Sequence, residues 1–223
     1  MKIIARIHTD FTTKFGIPRQ SGLVDSLKGK IIFEPEYRNP DAVRGLDGFS
    51  HIWLIWQFSA AVREQWSPTV RPPRLGGDKR MGVFATRSPF RPNAIGLSSV
   101  RLNRIKLHPT FGPILWVSGV DLLNNTPLYD IKPYLAYTDS HPEATEGFTH
   151  AIDSNLLTVQ FQPNQIEQIP RERRESLVGV LANDPRPRYQ DDPERLYGFA
   201  FAQWNIQFKV RDKVLTVYAI TPL

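Results

Sequence analysis

Large apolar side chains recur at every second position of residues 50–58, SHIWLIWQF, a spacing that suits an extended strand. The even-numbered positions from Ile52 to Phe58 carry large apolar side chains, and a period of two places them on one face. The odd-numbered positions include Trp53 and Ile55, so we expect both faces of this strand to be covered. A strand of this kind needs a sheet around it, which points to a β-rich fold.

Further segments have the same character and are separated by glycine, proline and asparagine. Such a series of short strands predicts a β-barrel or a β-sandwich. A Lys28-Gly29 turn precedes one of them, and Asn39-Pro40-Asp41 is typical of the start of a short helix. The predicted strands are 2–8, 30–34, 81–85, 95–107, 113–118 and 128–134.

The pattern changes after a polar stretch, 137–148, which we interpret as a linker. Residues 171–183 predict a helix whose apolar stripe contains Leu177, Val180 and Leu181. Residues 204–210 and 214–220 predict a hairpin across 211–213. We therefore divide the chain into a β-rich domain, 1–140, and a small α+β domain, 141–223.

Several function classes are excluded by residues that the chain lacks. It has no cysteine, so disulfides, thiolate metal sites and a cysteine nucleophile are ruled out. Its five histidines do not occur at metal-ligand spacing, and no metal is expected. No signal peptide and no membrane-spanning stretch is evident, so a cytoplasmic location without membrane association is expected.

The positive charge is concentrated in the first part of the chain. Residues 1–140 hold 19 basic and 11 acidic residues, whereas residues 141–223 hold 9 and 11. Between Arg71 and Arg104 there are eight basic residues and one acid, Asp78. Such a field attracts polyanions such as nucleic acid, although a solvated arginine-rich face gives the same composition.

Two familiar nucleotide-binding loops are missing. The chain has no G-x-G-x-x-G, so a Rossmann fold is not indicated. Residues 77–82 have the glycine spacing of a P-loop but are followed by Val83-Phe84 instead of lysine and a hydroxyl residue.

The segment ATRSPFRPN, residues 85–93, places Arg87 and Arg91 in a loop that Pro89 and Pro92 stiffen. A guanidinium in a rigid loop is suited to a two-point contact with a carboxylate or a phosphate. The residues alone also allow a structural role, in which these arginines pair with Asp41, Asp47 or Asp130.

Long segments of the chain resemble the TsaA-like (TrmO) family of tRNA methyltransferases. The segments are RPPRLGG (71–77), GVFATRSPFRPNAIGLS (82–98), FGIPRQSGLV (15–24), DAVRGLDGFSHIWLI (41–55), NNTPLYDIKPYL (124–135) and DPRPRY (184–189). The resemblance implies a β-barrel that binds S-adenosylmethionine without a Rossmann fold. It further implies a homodimer that methylates N6 of threonylcarbamoyl-adenosine beside the anticodon of tRNA.

The resemblance also implies a set of site residues. For the donor these are Pro18, Arg19, Gln20, Phe58, Ser59, Arg87, Leu97, Asn125, Thr126, Pro127 and Leu128. For tRNA they are Arg71, Arg74, Arg91, Arg186 and Arg188. Ser59 departs from the family pattern, in which a histidine is common, so only backbone contacts are expected there.

Asp130 is the predicted proton acceptor, because it is an acid inside a matching segment. An ion pair with Lys132 or an arginine is the alternative. Two other functions stay open for the chain as a whole: an RNA-binding barrel without catalysis, and a barrel that binds a nucleotide-like metabolite and regulates a partner.

Overall fold

A computed structural model describes residues 1–61, 65–72, 79–149, 156–186 and 192–223. The predicted mostly β architecture is confirmed, with a closed barrel followed by a C-terminal sheet domain. The strands are β1 (Ala5–His8), β2 (Lys28–Phe33), β3 (His51–Gln57), β4 (Thr69–Val70), β5 (Met81–Gly82), β6 (Ile95–His108), β7 (Gly112–Ser118), β8 (Thr126–Pro133), β9 (Thr158–Phe161), β10 (Tyr197–Phe201), β11 (Trp204–Arg211) and β12 (Val214–Pro222). The helices are α1 (Ala136–Asp139) and α2 (Arg171–Ala182).

Six antiparallel strands close the barrel in the order β1-β2-β7-β6-β3-β8, and β8 pairs back to β1. Alternation fills the interior: Ile52, Leu54 and Trp56 of β3 are buried, as the sequence pattern predicted. The other face of β3 is only partly covered, and His51 is exposed. The long strand β6 pairs with β3 over its first half and with β7 over its second, with a bulge near Leu102.

The C-terminal domain is a four-stranded sheet in the order β10-β11-β12-β9, in which β9 runs parallel to β12. Helix α2 buries Leu177, Val180 and Leu181, the predicted stripe. The predicted hairpin is confirmed, and Asp212 and Lys213 both have positive φ, 49° and 63°. Two such residues form the type I′ turn that suits the twist of a hairpin.

The barrel and the C-terminal domain share one core. Phe11 packs edge-to-face on Phe201 with ring centroids 5.9 Å apart, and Ser176 Oγ donates to the carbonyl of Ser26 at 2.8 Å. Gly16, with φ +94°, lies so close to Phe199 that a Cβ would be 2.3 Å from its ring. This close approach fixes the segment that leads into residues 17–20.

Some sequence expectations were wrong in detail. Lys28 and Gly29 lie inside β2 instead of forming a turn, and only Met81 and Gly82 of 81–85 form a strand, followed by a 3₁₀ turn. The predicted linker, 137–148, begins inside α1, where Asp139 accepts from the Trp53 indole at 2.8 Å and from the Leu135 amide at 3.0 Å. Among the described residues, no helix is long and apolar enough to span a membrane.

Candidate functional site

A cavity of about 660 Å³ opens at the barrel end where β3 finishes and β6 begins. Its apolar wall includes Ile17, Trp56, Phe58, Ile95 and Leu97. The rings of Trp56 and Phe58 are 4.3 Å apart at their centroids. The mouth of a barrel is a common place for a small ligand, and this volume lies in the range of such pockets.

Trp56 and Gly96 are direct partners across β3 and β6. The indole occupies the space beside the glycine, and its Nε1 donates to Ser98 Oγ at 3.0 Å. Ser98 is 1% exposed and its hydroxyl donates in turn to Asp121 Oδ1 at 2.7 Å. A chain of hydrogen bonds therefore runs from the barrel wall to a carboxylate that lines the cavity.

Asp121 follows β7 and is the only acid among the described residues that line the cavity. Burial raises the pKa of its carboxyl to about 6, although hydrogen bonds from Ser98 and from backbone amides and the charge of Arg87 act in the opposite direction. An acid with such a pKa, in a cleft, is a candidate for a functional role. The sequence analysis did not select it.

The cavity is also lined by four cations, Lys14, Arg19, Arg87 and Arg91. Arg87 donates to Gln20 Oε1, and Arg91 Nη1 donates to the carbonyl of Thr86 at 3.3 Å. Within the described part of the chain neither arginine forms an ion pair, and Asp130 pairs with Lys132. The structural alternative, in which Arg87 and Arg91 pair with Asp41, Asp47 or Asp130, is therefore wrong.

The loop that carries Arg87 is braced by its own side chains. Thr86 Oγ1 donates to the carbonyl of Val83 at 2.8 Å and accepts from the Ser88 amide at 3.2 Å. Ser88 Oγ accepts from the Phe90 amide, also at 3.2 Å. These bonds, with Pro89 and Pro92, hold the loop before any ligand arrives, which reduces the ordering cost of binding.

The structure brings most of the residues predicted for the donor to this cavity. Those that line it are Pro18, Arg19, Gln20, Phe58, Ser59, Arg87, Leu97 and Thr126. Asn125, Pro127 and Leu128 do not line it. Leu128 points into the barrel core and is fully buried, whereas Asn125 is exposed.

Asp130 is not brought to the cavity. It lies in a separate groove with Ile4, Phe33 and Ile131, where its carboxylate is 3.0 Å from Lys132 Nζ and accepts from the Ile131 amide. Strict alternation would place Asp130 on the same face as Leu128, but the β3–β8 pairing shifts register between Ile55 and Trp56. This irregularity separates Asp130 from the residues that face the mouth.

The residues predicted to contact tRNA lie in different environments. Arg71 is exposed and Arg91 lines the cavity. Arg186 is largely buried: its guanidinium makes two contacts with Asp184, at 2.9 and 3.0 Å. This bidentate pair holds the side chain inside the fold and removes it from the surface that was predicted to meet RNA. Arg74 and Arg188 lie outside the described residues.

An exposed aromatic pair beside the cavity was not predicted. The rings of Trp66 and Phe84 are stacked with centroids 6.1 Å apart, and the side chains are 49% and 70% exposed. The Arg91 guanidinium lies 6.0 Å from the Phe84 ring. Among the described residues, no cluster of three histidine, aspartate or glutamate side chains could hold a metal.

Comparison with known proteins gives consistent matches along the chain. The model of the tRNA-methyltransferase O N-terminal domain matches residues 6–140, and that of the TrmO C-terminal domain matches 154–223. A tRNA (adenine(37)-N6)-methyltransferase of Escherichia coli K12 is 40% identical over 236 residues, covering 98% of this chain and 96% of the relative.

Two more relatives agree. A Pseudomonas aeruginosa protein, provisionally named an S-adenosylmethionine-dependent methyltransferase, is 40% identical over 87% of this chain and 85% of its own length. A crystal structure of TrmO from Pseudomonas aeruginosa superposes with a TM-score of 0.78 at 29% identity, covering 99% of this chain and 96% of that one.

Proposed function

The chain belongs to the TrmO family of tRNA methyltransferases, and from that premise we propose that it methylates N6 of adenosine 37 in tRNA, with S-adenosylmethionine as the donor. The observation that carries the proposal is the cavity at the barrel mouth, where the braced Arg87 loop, an apolar wall and a half-buried acid converge.

The cavity suits the donor in size and chemistry. Bound S-adenosylmethionine supplies an electrophilic methyl group on a sulfonium, together with an adenine ring and a zwitterionic amino acid. The aromatic side chains of Trp56 and Phe58 give the apolar surface that a purine requires. The Arg87 guanidinium can donate two hydrogen bonds to a carboxylate. We therefore assign Pro18, Arg19, Gln20, Phe58, Ser59, Arg87, Leu97 and Thr126 to the donor site.

The surface around the cavity supports RNA binding. Arg71, Lys79 and Arg80 are exposed beside the short strands β4 and β5, and the Trp66–Phe84 pair offers two flat rings beside Arg91. Unpaired bases stack on such rings while cations contact the phosphates. We assign Arg71 and Arg91 to this surface. Arg186 is left out because it is buried, and Asp130 is given no part in the reaction.

The form of adenosine 37 that accepts the methyl group is N6-threonylcarbamoyl-adenosine. This group adds a carboxylate beside the reacting nitrogen, and a cavity rimmed by arginines is a fitting environment for it. Alignment of sulfur, methyl and nitrogen contributes much of the rate of such an in-line displacement. The rigid loop and the apolar wall are the parts of this chain that hold that geometry.

The experiment compares native tRNA with an unmodified transcript of the same sequence. Each is incubated with the protein and S-adenosylmethionine, and the nucleosides are measured by mass spectrometry. We expect a gain of one methyl group on threonylcarbamoyl-adenosine in native tRNA alone. Equal methylation of both RNAs would contradict the finer substrate, and methylation of neither would contradict the methyltransferase activity.

Assembly as a homodimer and a cytoplasmic location are part of the proposal. So is the division into a donor-binding domain, 1–140, and a domain that contacts tRNA, 141–223. Sedimentation at the concentration of the assay tests the assembly, and a monomer would contradict it.

A further inference from the structure

Asp121 occupies an unusual electrostatic position. Its carboxylate lines the cavity, yet no cation of the described chain lies within ion-pairing distance of it. Arg87, the cation that influences it most, donates its hydrogen bond to Gln20. Asp121 is half-buried in the cavity wall, and a partly desolvated carboxylate without a cation is costly, a cost that a cationic group of a ligand would offset.

The carboxylate is held in place from behind. Trp56 Nε1 donates to Ser98 Oγ at 3.0 Å, and Ser98 Oγ donates to Asp121 Oδ1 at 2.7 Å. Both donors come from barrel strands, β3 and β6, so the acid is fixed by the rigid part of the fold. Oδ1 is occupied by this bond, and the cavity is where a further partner can approach the carboxylate.

We propose that Asp121 binds the α-ammonium group of the donor's methionine part, while Arg87 binds the neighbouring carboxylate. This inference rests on the proposed function. The two groups of an amino acid carry opposite charges on adjacent positions, and the cavity presents one acid and one forked cation near each other. Asp121 is thus a binding residue that recognises the α-amino group of the donor.

The chemistry favours the ammonium over other parts of the donor. An ammonium group both neutralises a carboxylate and donates hydrogen bonds to it. Ribose hydroxyls donate but leave the buried charge unbalanced. A sulfonium carries charge but is surrounded by carbon and has no hydrogen to donate.

Calorimetry with three ligands separates these possibilities. S-adenosylhomocysteine retains the amino acid and lacks the sulfonium charge, and 5′-methylthioadenosine retains the adenosine and lacks the amino acid. In Asp121→Asn we expect the dissociation constants of S-adenosylmethionine and S-adenosylhomocysteine to rise by about 10- to 100-fold. That of methylthioadenosine should stay within about twofold, the usual scale of changes away from a contact.

Each other result overturns the inference. An equal loss for methylthioadenosine would assign Asp121 to the ribose, the adenine or the structure of the site. A loss for S-adenosylmethionine alone would assign it to the sulfonium. No loss for any of the three ligands would remove Asp121 from the donor site. Failure of the parent protein to bind any of the three would remove the donor site itself, which separates failure of the proposed function from failure of this inference.

Two controls make the test specific. Ser98→Ala keeps the carboxylate but frees it from β6, so S-adenosylhomocysteine should bind more weakly than to the parent and more tightly than to Asp121→Asn. In the parent, affinity for S-adenosylhomocysteine should fall as the pH drops through about 6, where the carboxylate becomes neutral, and Asp121→Asn should lack this fall. Among the described residues, the other charged side chains that line the cavity are Lys14, Arg19, Arg87 and Arg91.

Discussion

The indole of Trp56 occupies the space that a side chain on Gly96 would need: a Cβ there would lie 2.3 Å from Cε2. The two residues face each other across β3 and β6, so the contact is built into the register of the barrel. Because Trp56 also lines the cavity and donates to Ser98, this glycine sets both the wall of the site and the hydrogen bonds behind Asp121.

Gly96→Ala should therefore lower the free energy of unfolding by about 1–3 kcal/mol through overpacking, and it should weaken donor binding. Urea unfolding and calorimetry measure the two effects. Gly48→Ala is the matched control, because nothing lies within 4 Å of a Cβ at that position. Equal stability losses in both variants would show that the Trp56 contact is not the cause.

Arg87→Ala should raise the dissociation constant of S-adenosylmethionine by an amount worth about 1.5–3 kcal/mol, the usual value of a charge-assisted contact. The fold should be unaffected, because Arg87 is exposed and donates its hydrogen bond to the side chain of Gln20. Arg80→Ala, an exposed arginine bonded to Thr69, is the control. An unchanged constant in Arg87→Ala would remove this residue from the donor site.

Elements with strong local patterns could be predicted from the sequence. Strand β3 and helix α2 have clear periods of two and 3.6, and the loop of Arg87 is marked by its prolines. Strand β10 was missed, although it forms a tight hairpin with β11. The short strand β9 was also missed, because its partner, β12, lies far along the chain. Long-range pairing of this kind leaves little trace in local composition.

The acid of the site shows the same limit. Asp121 and Asp130 both lie near apolar runs, and the sequence favoured Asp130 because of its motif. Only the closure of the barrel, which brings Ser98 against Asp121 and turns Asp130 into another groove, decides between them. One signal was available: Asp121 stands between Val120 and Leu122, two core residues, where an acid is rarely placed without a purpose.

The exposed rings of Trp66 and Phe84 should contribute to tRNA binding. Replacing either with alanine should weaken tRNA affinity by about 1–3 kcal/mol, the value of a stacked base, and should leave the dissociation constant of S-adenosylhomocysteine unchanged. Leu107→Ala is the control, since Leu107 is 69% exposed at the other end of β6. Filter binding would contradict the assignment if all three variants bound tRNA like the parent.

Arg71 should contribute to tRNA affinity through phosphate contact alone. Arg71→Ala should reduce the slope of log affinity against log salt by about one, without altering the preference between tRNA species. Arg44→Ala is a suitable control, because Arg44 is already paired with Asp41 on the protein. An unchanged slope in Arg71→Ala would show that this arginine meets no phosphate.

The half-buried acid Asp121 should contribute less to the stability of the unliganded protein at neutral pH than in mild acid. Burial raises the pKa of Asp121 from 3.8 to about 6 in the folded chain, so between these values the folded state binds more protons than the unfolded state. Stability from this group is therefore present at low pH and is lost as the pH rises towards 6.

Asp121→Asn removes this titration. The difference in unfolding free energy between the variant and the parent should shift in favour of the variant by about 1–3 kcal/mol from pH 4 to pH 8, because one pKa unit corresponds to about 1.4 kcal/mol. Comparing the two proteins at each pH cancels the other carboxylates and any constant cost of the amide. Ser98→Ala should raise the pKa of Asp121 in the folded chain further, because the Ser98 hydroxyl favours the charged carboxylate. The pH range over which this group changes the stability should therefore widen. Urea unfolding at pH 4, 6 and 8 measures all three proteins, and a difference that does not change with pH would show that Asp121 titrates alike in the folded and unfolded chains.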